Sequence, residues 1–481
     1  MGFRKSVRAF PRTFWTANTM ELFERWAWYG IFIILPLYLT GSIDDGALGF
    51  SQNQKGILMG TVTGILYFLP LFTGAIADRY GYKKVLAISY IILSIGYLSL
   101  GYVSSYTSVY FVFLFVALGA GLFKPVISAT VAKTSEGKNS SLGFGIFYMI
   151  VNIGAFIGPI VASQSREISW KYPFMISAVA ILINLLLLLF FYKEPPREKD
   201  DSPLGASLIR ILKNIWIAVS DLKFLIFLMI IVGFWTMYNQ LFFSLPVFIE
   251  QWVNTSAMYD AIHSFWPWLA EKAGTPQQTI NPEMIVNIDA FYIVLFQVLI
   301  SSLIMKYKPI NTIIAGFLIS SIGIGLWFVT QNGFYLFLTI FIFAVGEMAS
   351  SPRIMEYIGK IAPKDKVALY MGAYYLPFSL GNIFAGLLSG PVYERISDKI
   401  ELIKLEIDRR GMQIPEISET FTKNDFLEKA SRMLDMNQTE LTNYLWTNYH
   451  PYNFWIVVTG IGLFTTLSLF AYDRILRPKK S

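Results

Sequence analysis

Glu21-Leu-Phe-Glu24-Arg25-Trp-Ala-Trp28-Tyr29-Gly30 opens an apolar run that continues through Ile31-Phe-Ile-Ile-Leu-Pro-Leu-Tyr38 to about Leu39. Three ionisable side chains thus sit in what otherwise reads as a membrane-spanning helix. A charge near the bilayer centre costs about 2.5–3.5 kcal/mol on insertion scales, so such groups face a protein interior or a water-filled cavity. Positions 21, 24, 25 and 28 follow the i, i+3, i+4, i+7 spacing, which puts both carboxylates, the guanidinium and the Trp28 ring on one helical face. The bland alternative is a cluster at the cytoplasmic end that snorkels to the headgroups. Phe14, Trp15 and Met20 precede it, so at about 1.5 Å per residue Glu24 lies roughly 13 Å inside the helix. A glutamate is too short to snorkel that far.

Outward from this stretch, the 481 residues are 54% hydrophobic and 15% charged, the balance of an integral membrane protein. Apolar segments of about 20 residues recur about twelve times, which predicts an all-α membrane protein. Cysteine is absent, which removes disulfides, thiolate metal sites and a cysteine nucleophile. The two histidines, His263 and His450, fall outside the expected spans, so no histidine metal centre is expected. No nucleophile, metal set or phosphate loop stands out, and an enzyme is not expected. The net charge of +7 does not point to nucleic acid, because Lys and Arg cluster in alternate short loops: Arg4, Lys5, Arg8 and Arg12; Arg79, Lys83 and Lys84; Lys133 and Lys138; Lys193, Arg197 and Lys199; Lys306 and Lys308; Lys360, Lys364 and Lys366; Arg474, Arg477, Lys479 and Lys480. The positive-inside rule then places both termini in the cytoplasm and requires an even number of spans. The N-terminus reads as a retained tail without a cleavable signal.

The opening stretch resembles the E-x-x-E-R-F-x-Y-Y-G motif on the first helix of the proton-coupled oligopeptide transporter family, within the major facilitator superfamily. Glu21, Glu24, Arg25, Tyr29 and Gly30 match, while Trp26 and Trp28 replace aromatic partners. A second span, 55–77, carries Tyr67 and ends in Gly74-Ala-Ile-Ala-Asp78-Arg79-Tyr-Gly81-Tyr-Lys83-Lys84, similar to the superfamily's loop between helices two and three. Gly119-Ala-Gly-Leu-Phe-Lys124-Pro125-Val-Ile-Ser128, in the fourth span, is similar to the family's G-x-x-K-P-x-x-S. The fifth reads Phe144-Gly-Ile-Phe147-Tyr148-Met-Ile-Val-Asn152-Ile-Gly154, close to F-Y-x-x-I-N-x-G-S. Gly346-Glu347-Met-Ala-Ser-Ser351-Pro352-Arg353-Ile-Met-Glu356, in the tenth, resembles G-E-x-x-x-S-P. The eleventh has Tyr374-Tyr375 where the family has W-F.

The resemblance implies two six-helix bundles, twelve spans in all, that import di- or tripeptides with protons as the coupling ion and no other cofactor. It implies that Glu21, Glu24, Arg25 and Lys124 couple protons. Tyr29, Tyr67, Lys124, Asn152, Asn239, Asp289, Glu347, Tyr374 and Tyr375 are the substrate-site candidates. Asp78, Arg79, Arg353 and Glu356 are the gating candidates, the last two forming either an intrahelical pair or an anion clamp. Three positions depart from the pattern. Asn239 replaces a glutamate of F-W-x-x-x-E-Q in Phe234-Trp235-Thr-Met-Tyr238-Asn239-Gln240, and Lys124 loses its usual partner. Asp289 stands where an asparagine is usual, either solvated near the outer mouth or replacing the missing acid. Phe32 replaces a clamp arginine, which leaves a different small amine-bearing or amphipathic substrate open.

The domains expected are an N-terminal bundle at 1–192, a linker with an amphipathic helix at 193–221, helices seven to eleven at 222–390, an outer polar insert at 391–450 and a last helix with a tail at 451–481. The insert shows two amphipathic patterns, one over Ser397 to Arg409 and one opening with a capping box at Thr422 and Asp425. It leaves open a protein partner, and with it a reading as a non-transporting receptor or assembly protein. Trp252, Trp266 and Trp268 before the eighth span read as an interfacial anchor. The expected location is a bacterial inner membrane.

Overall fold

A computed structural model describes residues 10–135, 140–196, 203–364 and 366–476. Several of the basic loop residues, Arg4, Lys5, Arg8, Lys138, Arg197, Lys199, Arg477, Lys479 and Lys480, lie outside the described residues, as does part of the 193–221 linker. Among the described residues the regular structure is helical, with β-pairing confined to two isolated bridges.

The apolar helices are α1 (Arg12–Thr40), α2 (Gln52–Phe68 with Pro70–Tyr80), α3 (Tyr82–Leu100), α4 (Tyr106–Thr134), α5 (Ser140–Arg166), α6 (Lys171–Phe190), α7 (Leu222–Phe243), α8 (Pro282–Ile304), α9 (Pro309–Gly325), α10 (Gly333–Ile361), α11 (Val367–Ala373 with Tyr375–Leu387) and α12 (Asn453–Ile475). Among the described residues nine of these are long and apolar enough to cross a membrane, and the two parts of α2 make a tenth. α9 has 17 residues, and α11 is broken at Tyr374. The parts of α2 meet at 44°, because Pro70 lacks the N–H that would continue the ladder. α2 also starts three residues earlier than expected, where Ser51 and Gln54 form a capping box. An amphipathic helix, Leu204–Val219, occupies the linker as expected.

The helices pack in two sets. α1 lies on α4, α5 and α6, and α3 on α4 and α6; α7 lies on α11 and α12, α9 on α10 and α12, and α8 on α10. The sets meet chiefly along α2 against α11 and α5 against α8. The first seam needs glycine: a Cβ on Gly60 would come within 2.7 Å of Gly386 Cα. Small residues at four-residue spacing let the backbones touch, Gly56 and Gly60 facing Gly386 and Gly390, and Gly64 facing Ser379 O and Ile383.

The insert holds three helices after Tyr393–Ser397, not two: Lys399–Arg409, Lys423–Leu434 and Gln438–Tyr449. The second has the expected Thr422/Asp425 box, and the third is opened by a box at Asn437 and Glu440. It is seated on the α1–α2 loop. Lys423 Nζ donates to the carbonyls of Thr40 (2.7 Å) and Phe50 (3.0 Å), and Asn424 Nδ2 donates to Asp44 (2.9 Å) and Asp45 (2.8 Å). Trp252 departs from the interfacial reading. It is buried and donates its indole N–H to Ser397 O at 2.9 Å, which pins the base of the insert. Trp266 and Trp268 are exposed.

Candidate functional site

α1 carries the charged stripe. Glu24 is fully buried, and Glu21 and Arg25 are each 4% exposed. Arg25 Nε donates to Glu24 Oε2 at 2.6 Å and lies 3.4 Å from Glu21 Oε1. Both carboxylates therefore share one guanidinium, whose planar fork suits two acceptors. Trp28 is on this side of the helix but packs into the aromatic core, stacked on Phe32 at 5.0 Å and Phe113 at 6.3 Å. The α1–α5 approach that supports the stripe depends on Gly154, where a Cβ would come within 2.8 Å of Arg25 Cβ and 2.7 Å of Leu22 O.

Lys124 is not in an ion pair with these acids. Its ammonium stands 4.6 Å from the centre of the Tyr67 ring, a cation–π contact, with Glu24, Glu21 and Arg25 within electrostatic range. Arg25 takes the acids first because it offers more donors at shorter reach. Tyr29 lies between the two sets of helices: the Arg25 guanidinium is 5.8 Å from its ring, and Glu347 of α10 acts on it as well.

On the far side Glu347 Oε1 accepts the Tyr238 hydroxyl at 3.0 Å. Asp289 is buried at 4% exposure and is not at a solvated mouth. Its carboxyl is near enough to that of Glu347 for the two to interact. Asn239 is buried and donates to Trp235 O of its own helix at 2.7 Å, and Asn152 likewise donates to Tyr148 O at 2.8 Å. Tyr67 stacks on Phe378 at 5.2 Å and Tyr374 meets Phe378 edge-on at 5.4 Å, with Tyr375 adjacent. Phe32 packs against Phe242 (5.7 Å) and Phe243 (5.9 Å), a dry contact between α1 and α7.

The gating candidates lie apart from these residues. Arg353 pairs with Glu356, which also takes Lys360 at 2.5 Å, so of the two readings of Arg353 the intrahelical pair is the one observed. Asp78 accepts the Tyr82 hydroxyl at 3.1 Å, and the Arg79 guanidinium stands 5.7 Å from the Tyr80 ring.

Four charged residues that join the two sets of helices were absent from the expected list. Arg166 binds Glu283 Oε1 at 2.5 Å and Asn281 at 2.8 Å. Lys55, fully buried, donates to Phe243 O at 3.0 Å and stands 5.1 Å from the Tyr393 ring. Asp398 accepts from Gln52 at 3.0 Å and Gln251 at 2.8 Å. Lys55 carried a signal, an ionisable residue at the head of an apolar helix, whereas the partners of Arg166 are a loop away and had none. These links lie on the side of the molecule that carries the insert. In the insert itself, burial pushes the Lys399 ammonium down to about 8. Burial also opposes ionisation of Glu406, but donors from Tyr449, Tyr444 and Arg410 outweigh it and hold the carboxyl below its ordinary value.

The family model for the Major Facilitator Superfamily matches residues 19–262 and 253–397. The peptide transporter YePEPT of Yersinia enterocolitica is 23% identical over 451 residues, covering 77% of this chain and 86% of that protein. A dipeptide and tripeptide permease A of Cronobacter turicensis is 24% identical over 452 residues, covering 83% and 89%. A crystal structure of a POT family transporter in complex with 5-aminolevulinic acid superimposes with a TM-score of 0.70 at 17% identity, covering 98% of this chain and all of that one. A structure described in terms of substrate recognition in proton dependent oligopeptide transporters gives 0.64 at 17% identity, covering 96% and 99%.

Proposed function

The chain belongs to the Major Facilitator Superfamily, and from that premise we propose that it is a proton-coupled symporter that imports di- or tripeptides by alternating access. Relatives named as peptide transporters and permeases support the substrate class. The observation that carries the reading is the buried Glu21–Arg25–Glu24 group on α1, with Lys124 beside it and Glu347 on the opposite set of helices. A zwitterionic peptide needs an acid for its amine and a base for its carboxylate. Glu347 serves the amine and Lys124, set against the Tyr67 ring with no ion pair among the described residues, serves the carboxylate. Protonation of Glu21 or Glu24 loosens Arg25 and changes the balance between the two faces of the carrier.

In this reading α1–α6 and α7–α12 are the two six-helix bundles, with α9 and the broken α11 completing twelve spans. Both termini face the cytoplasm of a bacterium, in its inner membrane. The linker 193–221 joins the bundles at the inner surface, and the insert 391–450 covers the outer face, which is closed by Lys55, Arg166, Asp398 and Lys423. Asp78 and Arg79, with the Arg353–Glu356 pair, serve the inner side. The insert spends several of its polar contacts on its own carrier, which favours a transporter over a receptor.

Phe32 in a dry aromatic contact supplies no guanidinium for a carboxylate, which favours as a second reading a small amine-bearing substrate with a weaker carboxylate requirement. The test is uptake into proteoliposomes with and without an inward proton gradient. Gradient-driven dialanine uptake that is lost in Glu24→Gln while counterflow exchange persists is the expected result. Uptake indifferent to both the gradient and Glu24→Gln rejects coupling, and thermal stabilisation by amines but not by peptides moves the substrate to the second reading.

A further inference from the structure

The insert roofs a polar cavity on the outer face. It has a volume of about 590 Å³ and is walled by the α1–α2 loop, the end of α5, the short helix Leu245–Trp252 that follows α7, the loop before α8 and the insert helices Lys399–Arg409 and Lys423–Leu434. Most charged side chains in this wall are already engaged. Arg166 is bound to Glu283 and Asn281 and stands 3.9 Å from Glu167. Asp398 accepts from Gln52 and Gln251, Lys399 Nζ donates to Thr442 at 2.6 Å, and Asp45 accepts from Asn424 at 2.8 Å. Glu250 is the exception: its side chain is exposed to the cavity and, among the described residues, forms no hydrogen bond or ion pair. Lys423 lines the same cavity and pairs with no acid among the described residues. Its ammonium gives N–H groups to Thr40 O and Phe50 O, and a lysine has one more to give.

An acid and a base that line one cavity without touching leave room between them for a molecule that carries an ammonium at one end and a carboxylate at the other, with charge-assisted hydrogen bonds at both. Trp170, Ile249 and Ile400 add apolar wall for the body between those ends. We propose that this cavity is an outer binding site for small zwitterionic amino compounds, with Glu250 receiving the ammonium and Lys423 the carboxylate. It shares no lining residue with the Lys124 and Glu347 positions. Its purpose, to gather substrate before the outer face opens, rests on the transport reading.

The experiment uses the purified full-length protein with an environment-sensitive fluorophore on Gln277→Cys, an exposed position in the cavity wall of a chain without native cysteine. Burial within these walls pushes the Glu250 carboxyl up to about 7, so titrations are run at pH 8, where it is ionised. The expected result is a saturable signal with dialanine whose half-saturation rises about tenfold or more in Glu250→Gln. The labelled parent should show a rise of the same size with N-acetyl-dialanine and with dialanine amide, because each lacks one of the two charge-assisted bonds. Glu347→Gln should leave the signal unchanged. A dialanine signal unchanged in folded Glu250→Gln, or lost in Glu347→Gln, overturns the proposal. So does the absence of a signal with all three compounds, which means that water alone fills the cavity. If Glu250→Gln does not fold, the labelled parent decides, and equal half-saturation for dialanine and N-acetyl-dialanine overturns the site. The transport reading fails separately: a Glu250-dependent signal without dialanine uptake into proteoliposomes keeps the site and removes peptide import, whereas uptake without a signal removes the site alone.

Discussion

Lys423 should control how often the outer face opens. Its ammonium is half-buried between the insert and the α1–α2 loop, donating to Thr40 O at 2.7 Å and Phe50 O at 3.0 Å. The insert leaves from α11 and returns to α12, so these bonds tie one half of the carrier to the other. They also fall on the carbonyl end of α1, where the helix dipole favours a cation. A hydrogen bond to a charged group contributes about 1.5–3 kcal/mol. Two of them, less the desolvation of the ammonium that burial already signals, leave about 2–3 kcal/mol holding the outer side shut. At 1.4 kcal/mol per factor of ten, Lys423→Met should raise the outward-open population about 30- to 150-fold. The chain has no native cysteine, so Ser104→Cys and Ser264→Cys, at exposed positions on the outer loops of the two halves, can carry spin labels without background. Pulsed dipolar spectroscopy on Lys423→Met should show a growing long-distance component, with Lys423→Arg falling between the two. A distance distribution identical to that of the parent at pH 7 would refute the strap.

Three further outcomes follow from buried charge and close backbones. Arg25→Leu leaves Glu21 and Glu24 buried without their cation and should destabilise the protein by about 3–5 kcal/mol. Glu24→Gln, which keeps a hydrogen-bond acceptor for Arg25, should lose far less, and equal melting temperatures for the two variants would contradict the shared-guanidinium geometry. Lys399 is held at about 8 when folded, against 10.5 ordinarily. Between those values the unfolded chain binds a proton that the folded one does not, so stability rises with pH across that window and is penalised below it. Lys399→Met should therefore gain about 1–2 kcal/mol at pH 7, after allowing for partial exposure and the lost bond to Thr442, and the gain should vanish by about pH 10.5 in paired thermal melts. Gly60→Val puts a side chain where Gly386 backbone stands and should cost about 1–3 kcal/mol. It should also abolish exchange, and wild-type counterflow in this variant would mean that the α2–α11 seam tolerates separation.

The spans and the charged face of α1 were legible because membrane insertion enforces length and apolarity, and because i, i+3, i+4 spacing fixes which side chains share a face. The partners chosen within that face were not. Lys124 could be placed beside the acids by counting turns, yet which cation they take depends on side-chain reach and donor geometry across helices, and Arg25 takes them. Trp252 read as an interfacial anchor because its loop flanks a span, but the insert covers it. That contact joins residues well over a hundred positions apart, and no local pattern records it. The third insert helix was readable in the Asn437/Glu440 capping box, as were the four-residue glycine rows of α2 and α11. Asp289 could be singled out as an anomaly, but its meaning needed the proximity of Glu347.

That proximity makes the two halves electrically unlike, and the difference bears on coupling. The first half balances Glu21 and Glu24 with Arg25 and Lys124, a group that is neutral when all four are charged, and Lys124 stands against the Tyr67 ring with no ion pair among the described residues. An incoming carboxylate can draw on Lys124 without breaking an ion pair. The second half sets Asp289 and Glu347 among tyrosines, with no cation pairing either acid among the described residues. Its acids are therefore open to a substrate amine. A zwitterion oriented with its amine toward α10 and its carboxylate toward α4 meets both requirements at once, whereas a substrate with an acetylated amine brings the second half no cation. Such an analogue should therefore bind more weakly, and an affinity for N-acetyl-dialanine equal to that for dialanine would contradict the orientation.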